Sequence, residues 1–191
     1  MCQKWLACGV FTITQCNRYR SVGFIVIRNC FAALVFLAGT GAGAQGVEPW
    51  GEAGGWDILV DRSTGNGCLA EKTFEDGTLV QIGTVPASEG GFFAAYNAEW
   101  TGIESGATGV VNFDFGDARF AGEVVGKIYK DLPGGYAYFD NPNFVSEFAK
   151  RRTVKVSGES DRVIEVSLTG TTKAIEAVFA CQDEQPEPSS D

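Results

Sequence analysis

Acidic residues are missing from the first 44 positions of this chain, and that segregation decides which part of it can fold as a domain. Residues 1–44 hold Lys4, Arg18, Arg20 and Arg28, no Asp or Glu, and four of the six cysteines (Cys2, Cys8, Cys16 and Cys30). An apolar run over 31–38 follows, then small residues ending Gly41-Ala42-Gly43-Ala44. A basic region, a short apolar core and an Ala-x-Ala site, in that order, form the layout of a secretory signal peptide. Ala42 and Ala44 place the cut so that Gln45 becomes the new N-terminus. A retained membrane anchor fits less well. Arg28 and Asn29 interrupt 22–44, and the unbroken apolar run is shorter than the roughly 20 residues a spanning helix needs.

The remaining residues, 45–191, contain two cysteines, Cys68 and Cys181, and no segment apolar enough to cross a membrane as a helix. Export takes thiols into an oxidising compartment. With two cysteines one intramolecular pairing is possible, and the absence of a Cys-x-x-Cys spacing argues against a redox dithiol. Taking the four leader cations from the chain's 15 Lys and Arg leaves 11 against 24 acidic residues, a net charge of −13. Such a surface does not suit nucleic acid, whose phosphates require Lys and Arg. The chain also has no histidine. That excludes Ser-His-Asp and Cys-His catalysis, histidine metal sites and the usual general base near neutral pH. No cofactor is expected.

Residues 45–55 read as a flexible, Gly-rich lead-in, 56–182 as one β-rich domain, and 183–191 as an acidic disordered tail. Trp56, Ile58 and Val60 alternate with polar neighbours, as in a half-buried strand. Strands over 68–74 and 78–82 flank Glu75-Asp76-Gly77, a hairpin signal for a type I′ turn. Further strands are expected over 92–96, 111–115, 119–128 and 136–139. Asn141-Pro142 then starts a helix with Phe144, Val145, Phe148 and Ala149 on one face. A hairpin of 154–156 with 164–168 follows, and Thr171 is placed to cap a last helix whose inner stripe contains Ala174, Val178 and Cys181. The fold class is mainly β: an antiparallel β-sandwich or partly open barrel with two short helices in the C-terminal third.

Chemical signals are sparse. Asn112, Asp114 and Glu123 partly match a calcium loop. The fifth position lacks a side-chain oxygen and the turn glycine is replaced by Asp117, so no metal site is expected. Aromatic residues cluster at Tyr96 and Trp100 and again at Tyr136 and Tyr138. Their outward members are the candidate binding face, because exposed Tyr and Trp favour interfaces.

The order of the C-terminal elements resembles the end of a known family. A short helix over 144–152, Val154-Lys155-Val156, the strand 163–170 with its Ser-Leu-x-Gly ending, and an Ala-rich helix over 174–181 are similar to the invasion-associated locus B proteins, as is the Trp56 strand with a cysteine soon after it. These are small secreted proteins of Gram-negative, largely alphaproteobacterial, species. The resemblance implies a periplasmic or envelope-associated β-domain without enzymatic activity and transfers no catalytic residue. The central cysteines common in that family are absent here.

Together these readings lead to an exported, periplasmic or secreted, non-enzymatic domain whose partner is another protein or an envelope component. Three rival expectations stand beside it. An acidic inhibitor of a cationic enzyme such as lysozyme would be steered to its target by the net charge. A hydrolase would use paired carboxylates across a cleft. A small-ligand carrier would need space inside a barrel.

Overall fold

The computed structural model describes residues 46–141, 143–158 and 162–187, all within one compact unit, Ala42–Asp191. The expected leader, with Ala42, Ala44 and Gln45, lies outside the described residues.

Ten strands form one antiparallel sheet: β1 (Val47–Ala53), β2 (Trp56–Asp61), β3 (Gly67–Thr73), β4 (Leu79–Val85), β5 (Gly90–Tyr96), β6 (Thr108–Asp114), β7 (Arg119–Tyr129), β8 (Leu132–Phe139), β9 (Thr153–Ser157) and β10 (Val163–Ser167). Their spatial order is β1-β2-β3-β4-β5-β8-β7-β6-β9-β10, so β1 and β10 are the two edges and the sheet does not close. Two helices come late, α1 (Asn143–Lys150) and α2 (Thr171–Asp183). Of the two architectures expected from the sequence, the structure adopts the partly open barrel.

The strand period of two explains the curl. Even-numbered residues of β2 to β4, such as Trp56, Ile58, Val60, Cys68, Val80 and Ile82, share one buried cluster with Phe113 of β6, Val154 and Val156 of β9, and Phe144 and Phe148 of α1. Strands from both ends of the sheet therefore wrap one apolar interior, with the helices packed into it. The opposite face of β2 to β5 carries a second buried cluster, including Leu59, Leu69, Phe92 and Tyr96.

The interior is built largely of rings. Phe113 meets Phe93, Phe144 and Phe139 edge-on at centroid separations of 5.1, 5.4 and 5.5 Å. Phe144 stacks on Phe139, and Phe148 on Phe93. Helix α1 delivers two of these rings. Asn141 begins the helix, its Oδ1 accepting from the Asn143 N–H and its carbonyl from the Phe144 N–H.

Three local expectations are corrected. Residues 47–53 are not a flexible lead-in but edge strand β1, paired with β2 through a register shift between Pro49 and Gly51. An edge strand tolerates a proline because one side of its backbone needs no partner. The 74–78 hairpin forms, but by a different turn. The Gly77 N–H donates to the Phe74 carbonyl and Gly77 alone takes a positive φ, as in a type I turn followed by a left-handed residue. Finally, Thr171 does not cap α2, whose N-cap is Gly170. The Thr171 hydroxyl is buried and lies 2.7 Å from the carbonyls of both Phe148 and Leu168, tying the start of α2 to the end of α1. At its other end α2 runs one residue beyond the expected domain limit, to Asp183.

Gly170 does more than end a strand. It has φ 85°, and a Cβ built on it falls 1.9 Å from the Gly54 carbonyl oxygen; a Cβ on Gly54 meets the Gly170 oxygen at 2.2 Å. The β1–β2 turn thus rests directly on the backbone entering α2. Gly170→Ala is expected to cost at least about 1–2 kcal/mol, the penalty of a left-handed conformation alone, and the measurement is the shift of the urea midpoint.

Candidate functional site

Cys68 on β3 and Cys181 on α2 are joined by a disulfide, both fully buried, with Cα atoms 6.1 Å apart and a sequence separation of 113. A residue the sequence did not single out completes this junction. Gln182 Oε1 accepts from the Cys68 N–H at 2.9 Å and from the Thr84 hydroxyl at 2.7 Å, while its Nε2 donates to the Asn66 carbonyl at 3.3 Å. The last helix is therefore held to β3 and β4 by one covalent bond and two hydrogen bonds, and to the loop before β3 by a third. Trp56 adds another tie, its indole N–H donating to the Thr169 carbonyl at 3.2 Å.

The four aromatic residues expected to form a binding face are divided by the sheet. Tyr96, Tyr136 and Tyr138 lie on the outer side of β5 and β8, whereas Trp100 faces the interior. Tyr96 is 1% exposed and so presents no ring to a partner. Tyr136 is half-buried and stacked on Phe92 at 4.9 Å. Tyr138 is exposed, and its hydroxyl donates to the Ser88 carbonyl at 2.6 Å.

A fourth tyrosine, Tyr129 of β7, bonds a buried carboxylate. Glu71 accepts from Gln81 Nε2 at 2.7 Å and from the Tyr129 hydroxyl at 3.0 Å on one oxygen, and from Lys130 Nζ at 2.7 Å on the other. Lys130 and Asp131 make the β7–β8 turn, and both take positive φ. Non-glycine residues adopt that conformation at a cost, which the bonds from Tyr129 and Lys130 to Glu71 offset. With these partners the carboxylate is occupied structurally.

Burial pushes the Tyr136 hydroxyl up to about 12, helped by the Asp61 charge. Tyr96 and Tyr129 move further in the same direction, chiefly through burial, with the neighbouring Tyr129 and the Glu71 carboxylate, respectively, as the next causes. An unfolded tyrosine ionises near pH 10. Above that pH the unfolded chain binds fewer protons than the folded one, so stability is full below pH 10 and falls as pH rises. Buried Tyr96 alone should contribute a loss of about 1.4 kcal/mol per pH unit; the half-buried pair adds less because solvent screens it. Urea midpoints at pH 9, 10 and 11 should decline, and Tyr96→Phe should flatten the decline. A constant midpoint would contradict this account.

Asp114 of the calcium-like stretch is used locally. Its carboxylate accepts from the Gly116 N–H at 2.7 Å and pairs with Arg119 at 3.1 Å. The Gly116 N–H, more than the Arg119 charge, holds its carboxyl below the usual range. Asn112 is exposed on the same strand, and Glu123 is exposed on β7 opposite Val110. Acids also line a groove along the open seam, where Glu75 and Asp76 of the 74–78 turn face Glu165 of β10. The Asp76 carboxylate is turned inward, accepting from the N–H and hydroxyl of Thr78, each at 2.9 Å.

Inside the curl, a cavity of about 160 Å³ remains beside the ring cluster. Phe93, Val111, Phe113, Ala137, Val156 and Ile164 form its walls, and half-buried Trp100 and exposed Arg162 also border it. The Arg162 guanidinium lies over the Trp100 ring, 5.6 Å from its centre. Among the described residues, Arg162 contributes the one charged side chain in the lining.

These features define a class by architecture: a curled, unclosed antiparallel β-domain pinned by one long-range disulfide. No known family matches the sequence, and no curated protein matches it. Among solved structures, the chain is similar to the crystal structure of invasion associated protein B from Bartonella henselae, with a TM-score of 0.46 and 14% identity, covering 72% of this chain and 99% of that one. The likeness is a weak structural resemblance.

Proposed function

We propose that this protein is exported to the periplasm or envelope and acts there as a non-enzymatic binding domain. The observation that carries this reading is the buried Cys68–Cys181 bond. Such bonds persist in oxidising compartments and are rare where thiols are kept reduced. The signal-like order of residues 1–44 supports the same address. No described helix is long and apolar enough to cross a membrane. The lack of histidine supports binding over catalysis.

Intact-mass analysis of protein from fractionated cells tests the proposal. The expected product begins at Gln45, sits in the periplasmic fraction and resists alkylation until reduced. Full-length chain in the cytosol, with Cys68 and Cys181 open to alkylation, would overturn it.

A further inference from the structure

The geometry points to the interior cavity as a binding site for a small amphiphilic anion, with a single ring or short branched acyl body inside and its carboxylate at Arg162. Three observations combine. The walls are mostly apolar side chains from β5, β6, β8, β9 and β10, so the space suits hydrocarbon. Its volume of about 160 Å³ is close to that of apolar cavities that take up one benzene ring. Among the described residues the border is asymmetric: one cation, Arg162, held over the Trp100 ring, and no anionic side chain in the lining. A guanidinium offers a planar fork of donors that matches a carboxylate, and an ordered indole beside it gives the ligand's ring an apolar flank.

The body sets the size limit and the head group sets the orientation. A neutral hydrocarbon fills the walls but leaves Arg162 to water. A long-chain fatty acid exceeds the space. The site is therefore selective by both length and charge. This deepens the binding role proposed above, and it is tested in solution independently of where the protein resides.

The test uses the oxidised protein, with benzoate and toluene as probes of nearly equal body, followed by calorimetry and by NMR of the Val111, Val156 and Ile164 methyl groups. Benzoate should bind at least about tenfold more tightly than toluene, the scale of one charge-assisted hydrogen bond. Arg162→Gln should bring benzoate down to the toluene level and leave toluene unchanged. Ala137→Leu should fill the space and abolish both. If Ala137→Leu does not fold, shifts confined to the three methyl groups in the unsubstituted protein locate the probe instead. Equal binding of the two probes, indifference to Arg162→Gln, or no methyl shift at millimolar benzoate would each overturn the proposal. A cytosolic, reduced protein that still binds benzoate through Arg162 would overturn the export reading and leave this one standing.

Discussion

Replacing both cysteines, Cys68→Ser with Cys181→Ser, is expected to destabilise the fold by about 3–5 kcal/mol. The bond closes a stretch spanning 113 positions, and a crosslink over so long a loop removes much of the freedom of the unfolded chain. A second contribution comes from the folded side. Both sulfurs are completely buried, and Gln182, the residue after Cys181, supplies hydrogen bonds to the Cys68 backbone and to Thr84. Losing the bond frees α2 to drift and strips those groups of their partner. Urea denaturation with and without reductant measures the effect. The double variant should match the reduced protein, and both should unfold well before the oxidised one. Equal midpoints in all three would show that the packing of α2 alone determines stability.

Phe113→Ala should cost a similar amount, about 3–5 kcal/mol, the usual range for removing a fully buried ring. Phe113 is fully buried where β6 faces both α1 and β5, and its ring centre lies 6.4 Å from that of Phe148, edge to face. Deleting it opens a void next to a cavity that already exists, so collapse around the gap would have to draw in walls from several strands. Phe179 is the control: it is an exposed ring on α2, and Phe179→Ala should change stability by less than about 0.5 kcal/mol. Thermal melts of the three proteins check the contrast. Comparable losses for Phe113→Ala and Phe179→Ala would contradict the core described above.

Much of this architecture can be read from spacing. Trp56-Asp-Ile-Leu-Val60 and Val154-Lys-Val156 announce strands because alternate residues must be apolar when one face is buried. Phe144, Val145 and Phe148 announce a helix for the corresponding reason. Strand β1 is not legible in that way. Its residues, with Pro49 and Gly51 among them, are largely exposed on an edge, so no burial pattern marks it. Strand order is also hidden. Nothing local tells β8 to slot between β5 and β7, or β9 to pair with β6, because those choices depend on how the sheet curls.

The candidate site was half legible for the same reason. Tyr96, Trp100, Tyr136 and Tyr138 stand out by composition, but which side of the sheet each faces is a matter of register. Tyr96 and Trp100 are four residues apart and end on opposite sides because irregular backbone separates them. Arg162 carried no signal at all. Its position beside the cavity follows from the β9–β10 hairpin folding back across the interior. Gln182 was equally silent, since a lone glutamine near a chain end matches no pattern.

The location of the second cysteine has a consequence for biogenesis. Helix α2 is the last of the described elements to be synthesised, yet its partner strand β3 is among the first. The crosslink therefore cannot form until every strand of the sheet has been made, and it records that the growing chain has passed position 181. Any product cut short before position 181 retains Cys68 without its mate, a thiol left able to couple to other incomplete chains. Oxidation of this pair thus distinguishes, by chemistry alone, a chain that contains α2 from one cut short before it.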